Sequence, residues 1–262
     1  MYTRISTIQL GLFLVVAVGG AAALGITLGN RMRVRGRGNR ESVGVVQAAL
    51  LGLVGLLLAF GLAMAVGRFE DRRSGVVRQA NHIGTTYLRA QLLAEPTRSE
   101  SLTLLRQYAD GALALARSVP RSATFEQHDE ELERLHRALW AMAGDAVRQD
   151  PEGTGPRLYV DSLNAMIDAH TDRISSLYNG VPGSVVALEI LASAVAVGML
   201  SLYLATLGRS LVSALLSAGL IVVILFVTVD LDRPRRGSIT VPDGPLVDLL
   251  ASMAEAPSAT GP

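Results

Sequence analysis

Four long apolar runs, each nearly free of charge, leave this chain very few folds. The first, Gln9–Gly29, holds 21 residues without an ionisable group. At about 1.5 Å per residue, that is enough helix to cross the roughly 30 Å of a bilayer's hydrocarbon. The other three cover Val45–Gly67, Ser184–Leu207 and Leu211–Val229. Lipid offers no partner for a bare backbone amide, so a spanning segment is a helix or part of a closed barrel, and unalternated runs of this length are helices. The expected fold class is all-α: a polytopic membrane protein with four transmembrane helices and a helical water-facing insert between spans two and three. A hydrophobic share of 50% and a mean hydropathy of +0.36 fit that class.

Arg4 followed by an apolar run is also the pattern of a leader peptide. A leader's apolar core is about 7–15 residues, so this longer run is expected to be a retained span. The expected organisation is an N-terminal pair of spans with a basic loop over 1–68, the insert over 69–182, a C-terminal span hairpin over 183–230, and a basic juxtamembrane segment with a flexible tail over 231–262.

The stretch Leu58–Arg89 carries the transition from lipid to water. Ala59, Ala63 and Gly67 give its apolar part a small residue every fourth position, the spacing that lets membrane helices approach closely. Arg68, Glu70, Asp71, Arg72 and Arg73 mark the boundary. Beyond them Val76, Val77, Ala80, Ile83, Gly84, Tyr87 and Leu88 fall at spacings of three and four, one face of an amphipathic helix. Two further helices are expected to start at the capping boxes Thr97-x-x-Glu100 and Thr124-x-x-Gln127. A fourth is expected from Pro156, with Leu163, Ile167, His170, Ile174 and Leu177 inward. Four such helices suffice for a small bundle core. Only Gly208-Arg209-Ser210 separates the third and fourth spans, which must be antiparallel. The tail suggests an extended piece at Ser238–Val241, a short helix at Pro245–Met253, and disorder over Ala254–Pro262.

Four spans place both termini and the insert on one side. Near the span ends that side has nine arginines and the other six, so the termini and insert are expected in the cytoplasm of a cell-membrane protein.

The 24 basic residues are all arginine, but the net charge is only +1, which argues against a nucleic-acid partner. With no cysteine there is no disulfide, thiolate metal site or thiol nucleophile. Glu133-x-x-His136 has the spacing of ligands on one helix face in di-metal bundles, but no other helix repeats it, so neither metal nor cofactor is expected. No nucleotide-binding loop or catalytic triad pattern is present, and the chain is not expected to be an enzyme. His170 lies on an apolar stripe and is expected to be a satisfied interior residue; Trp140 and Tyr178 are expected to be packing or interface residues.

Two sets of residues are candidates for function. Glu189 sits about six residues into the third span, where a carboxylate is costly. With Arg68, Arg72, Arg73 and Arg233 it forms a candidate ion pathway or structural ion-pair site. Arg31, Arg33, Arg35, Arg37 and Arg40, spaced by glycines, are candidates to contact lipid phosphates.

The segment GRFEDRRSGVVRQANHIGTTYLRAQLL resembles the signature of a bacterial bestrophin-like membrane family of unknown function. LNAMIDAHTDRISSLYNGVP, LYLATLGRS and VDLDRPRRGSITV resemble its approach to the third span, its hairpin and its exit from the fourth. His82 and Gln79 depart from the pattern, which has a small residue and an acidic one there. The resemblance implies the plan of the distantly related bestrophins, pentameric anion channels with four spans per subunit and a cytoplasmic helical insert. The expected function is an oligomeric anion channel in the bilayer, a homo-oligomer with an anion as ligand. The alternative is a non-conducting scaffold or sensor whose insert binds a partner.

Overall fold

The computed structural model describes residues 6–34, 40–208, 211–235 and 237–255. All regular structure among them is α-helical: α1 Thr7–Val34, α2 Arg40–Ala90, α3 Thr97–Arg117, α4 Ala123–Gln149, α5 Thr154–Tyr178, α6 Gly183–Thr206, α7 Leu211–Leu231 and α8 Gly244–Glu255. Four stretches are long and apolar enough to cross a membrane, and they contain α1, the first part of α2, α6 and α7. The chain divides into two compact units: Met1–Phe69 with Gly180–Ile239, and Glu70–Asn179 with Thr240–Pro262.

The first unit is the apolar one. Its core joins Leu14 and Val18 of α1, Val54 and Leu58 of α2, Val197 of α6 and Leu225 of α7. Without a hydrophobic drive inside lipid, close packing has to hold such helices together. Gly25 and Gly29 supply it between α1 and α6. A Cβ on Gly25 would lie 3.0 Å from the backbone N of Leu202, and one on Gly29 would lie 2.7 Å from the Cβ of Ala205. Gly19 and Gly20, by contrast, have open space where a Cβ would be. On α2, Val54, Leu58, Gly61 and Ala65 are buried, while Gly52, Ala59, Ala63 and Gly67 are exposed on the opposite face. The small-residue stripe therefore points out of the subunit. The hairpin between α6 and α7 begins at Gly208, whose φ of +68° suits a residue without a Cβ. A side chain there would also meet the Arg33 guanidinium at 2.8 Å.

The second unit is a helical bundle. Ile83, Tyr87, Leu105, Leu132, Leu139 and Leu163 belong to one core that draws on α2, α3, α4 and α5. Val77 and Leu88, expected on the inward stripe, are 40% and 63% exposed, because the buried face narrows to Val76, Ala80, Ile83 and Tyr87. Tail helix α8 belongs to this unit, burying Leu246 and Met253 in its core, and Asp243 just before it pairs with Arg117 of α3 at 2.7 Å. Trp140 on α4 is 47% exposed. Tyr178 packs edge-on against Phe125 under the Arg121 guanidinium.

The helix starts differ from the capping boxes read in the sequence. Pro96 precedes α3, and the carboxylate of Glu95 takes the backbone N–H of Ser99 at 3.2 Å and its hydroxyl at 2.8 Å. Thr97 is buried, its hydroxyl accepting from Gln149. At α4 the cap is Ser122, which accepts from Phe125 N at 3.1 Å, two residues ahead of the expected Thr124. In both places an acceptor two residues ahead of the expected cap takes the orphan N–H, and Ser122 does so from an extended backbone conformation. Ser238–Val241 forms no strand, because Ser238 N and Ile239 N donate to the side chain of Asp230. The disorder expected over Ala254–Pro262 falls, from residue 256 on, outside the described residues.

Candidate functional site

Three chain segments of the first unit meet at the end where α7 finishes: the last part of α2 before Phe69, the approach to α6, and the residues after Val229. Apolar packing brings charged flanks inward here, and buried charge requires partners. Asp232 is 3% exposed. One of its oxygens accepts from Val181 N at 2.9 Å, and the other lies 3.9 Å from Arg68 Nη1. One carboxylate thus ties α2 and the α6 entry to the end of α7. Asp230, 1% exposed, closes the next loop: its Oδ2 accepts from Ser238 N at 2.8 Å and Ile239 N at 3.1 Å. The turn between them needs Arg235 at a φ of 63° and Gly237, where a Cβ would be 2.6 Å from the carbonyl oxygen of Asp230. Arg233 is 1% exposed, and its N–H closes on Asp230 O at 3.1 Å.

Glu189 lies deeper in the same unit. It projects from α6 onto Gly61 of α2 and is 3% exposed. A Cβ on Gly61 would sit 2.7 Å from the Glu189 Cδ and closer still to Oε1. Ser193, one turn further along α6, is also fully buried. Among the described residues Glu189 forms no ion pair with an arginine, and its Oε2 has no hydrogen-bond partner.

The candidate residues are therefore not gathered into one cluster. Arg68 has Asp232 as its partner; Glu189 stands against a glycine; Arg233 is interior. Arg72 and Arg73 belong to the second unit, where Arg72 is 2% exposed and Arg73 is an exposed partner of Glu70 at 3.6 Å. Arg31 and Arg33 are exposed in the last turn of α1, not in a loop. Arg35 and Arg37 lie outside the described residues, and Arg40 opens α2. Asp230 and Asp232 were not selected from the sequence as site residues. Their signal was two carboxylates directly after an apolar run, where a solvated side chain has no reason to be buried unless the backbone needs an acceptor.

Chemically this end of the unit pairs carboxylates with arginine and backbone donors. It offers no nucleophile with a base beside it, and no group of three or more ligating side chains among the described residues could hold a metal.

A family model described as the bestrophin-like domain matches residues 11–246. The chain belongs to the bestrophin-like family. No curated protein matches it. Solved structures resemble it in fold. A point variant of a bacterial bestrophin homologue from Klebsiella pneumoniae has a TM-score of 0.65 at 11% identity, covering 91% of this chain and 98% of its own. Crystal structures of two membrane-protein variants have TM-scores of 0.63 and 0.59 at 10% and 13% identity, covering 95% and 91% of this chain and 99% and 97% of their own. At such identities the likeness is one of backbone path. A bestrophin-like membrane protein with all-α architecture is the result.

Proposed function

We propose that this bestrophin-like protein assembles as a homo-oligomer in the cell membrane and conducts anions, with its termini and insert in the cytoplasm. The observation that carries this reading is the outward face of α2. Gly52, Ala59, Ala63 and Gly67 are exposed along one side of the span while its other side packs inside the subunit. A helix that turns small residues outward lets copies of itself come close, and a ring of such faces leaves a path between them. Arg68, whose side chain is 26% exposed, follows directly on this stripe and supplies positive potential at its end. Arg31 and Arg33 are proposed to contact lipid phosphates from the exposed end of α1. Glu189 serves this reading as a structural carboxylate wedged between spans.

One observation favours a scaffold or sensor instead. A groove of about 610 Å³ runs between α3 and α4, lined by Ser99, Leu104, Ala138 and Met142 among others, and could seat a partner on the insert. Reconstitution separates the two readings. Purified protein in liposomes is assayed for halide flux while its subunit number is read by native mass spectrometry. A conducting oligomer supports the channel; a monomer or dimer without flux overturns it.

A further inference from the structure

The bundle of the second unit holds a polar cluster that no membrane-spanning role explains. Gln79 of α2, Tyr108 of α3, Asp129 and His136 of α4, and His170 and Arg173 of α5 meet inside it, so each of these four helices contributes. Gln79 and Tyr108 are fully buried, and His170 and Arg173 are 5% and 4% exposed.

The guanidinium donor fixes the direction of the bonds around Gln79 and His170. A guanidinium only donates, so the bond from Arg173 Nη1 identifies the Gln79 oxygen. The amide nitrogen of Gln79 then faces His170 Nδ1 at 3.3 Å and the Tyr108 hydroxyl at 3.4 Å. His170 Nδ1 must accept, which leaves the proton on Nε2, 3.0 Å from Asp129 Oδ1. The Tyr108 hydroxyl accepts from Gln79 and has its own buried proton to place, for which His136 Nε2 at 2.9 Å is the acceptor in reach. Both imidazoles are thereby held neutral, their rings 5.0 Å apart.

No second proton fits this pattern. On His170 it would go to Nδ1 and point at the Gln79 amide hydrogens. Relief would require the amide to turn and present those hydrogens to Arg173. On His136 it would go to Nε2 and take from Tyr108 its acceptor. Two imidazolium rings at this separation would also repel each other, with Arg173 and Arg137 adding to the repulsion and Asp129 opposing it from the Nε2 side of His170. Burial holds both imidazoles down to about 4, with Arg173 beside His170, and His170 and Arg137 beside His136, acting in the same direction. Burial also keeps the Tyr108 hydroxyl protonated well above its ordinary range, so tyrosine does not share the titration.

We propose that the Gln79–Tyr108–His136–His170 cluster is a proton-operated latch that holds the four helices of the insert together at neutral pH and releases them on acidification. The ligand it senses is the proton itself, and the moving parts are α5 and α4 relative to α2 and α3.

The test uses the intact protein in lipid nanodiscs. Exchange of the C2 hydrogen of each histidine, followed by mass spectrometry, gives a separate titration midpoint for His136 and His170. Amide exchange over residues 76–90 and 159–178, corrected for the intrinsic effect of pH, reports whether the helices loosen. Both midpoints are expected below the ordinary value of about 6.5, with amide protection falling at least tenfold across the same interval. A midpoint at or above the ordinary value for either histidine, or protection unchanged through the midpoints, overturns the proposal. These wild-type readings need no variant. His170→Gln retains an acceptor for Gln79 and a donor for Asp129 but cannot titrate, so the acid-induced loss of protection should shrink; an undiminished loss would also overturn it.

Discussion

The carboxylate of Glu189 occupies the notch left by the missing side chain of Gly61. Neither residue makes sense alone. A glycine within a span gives up packing, and a carboxylate inside a span lacks water; together they let α2 and α6 approach with the larger group filling the space of the smaller.

Gly61→Ala should therefore push Glu189 out of its site. Overpacking of this kind costs about 1–3 kcal/mol, seen as a lower melting temperature in detergent. In a Glu189→Ala background the same change should cost much less, because the colliding atoms are gone. Equal losses in both backgrounds would show that the two side chains are not coupled.

Asp232 offers a graded test at the other end of the unit. Asp232→Ala leaves the buried Val181 N–H without its acceptor, a loss of about 1–3 kcal/mol from that group, and takes from Arg68 its carboxylate. Asp232→Asn keeps an acceptor oxygen and should fall between the wild type and the alanine variant in thermal unfolding. If asparagine is as damaging as alanine, charge rather than the Val181 hydrogen bond is what matters.

The glycines of α1 should divide into two classes. Gly25→Ala and Gly29→Ala force α1 away from α6 and should lower stability and yield. Gly19→Ala and Gly20→Ala place a methyl in open space, and relief of glycine's conformational entropy should leave stability unchanged or raise it by about 0.5–1 kcal/mol each.

Acidity should act on the insert in a definite direction. The folded values of His136 and His170 lie below those of the unfolded chain, so the unfolded state binds protons first. Stability is then complete above about 6.5 and lost as the pH falls from there towards about 4, by at most about 1.4 kcal/mol per pH unit for each histidine. Asp129, raised by burial, takes up its proton earlier in the folded state and offsets a part of this. Gln79→Glu should reverse the behaviour of His170. A carboxylate between Arg173 and His170 Nδ1 favours the imidazolium, so the midpoint of His170 should rise and the loss of protection on acidification should lessen. An unchanged His170 midpoint would show that Gln79 does not set its protonation.

The order and approximate extent of the helices were legible because hydrophobic period and length are local properties of the chain. What escaped depended on contacts distant in sequence. The short tail helix at Pro245–Met253 was legible from its own residues, but its place was not: Leu246 and Met253 are held in the core of the insert, more than a hundred residues away in sequence from Leu105 and Leu132 of that core. Thr124 looked like a cap by spacing, but Ser122 has the extended backbone conformation from which its hydroxyl reaches Phe125 N. By charge alone Glu189 reads as an ion-pathway carboxylate or a member of an ion pair. Its close fit against Gly61 is a matter of shape, and nothing in the sequence joins position 189 to the glycine at 61. His170 was legible as interior, but the bonds that set its tautomer come from α2 and α4.

Trp140 is the chain's one tryptophan, and it sits on α4 one helical turn past His136. Half open to solvent, it emits from the element to which Asp129 and His136 belong. The protein thus carries a native optical probe on the same helix as His136, four residues along. Loosening of the insert in a membrane should be visible as a change in emission, in unlabelled protein and in real time.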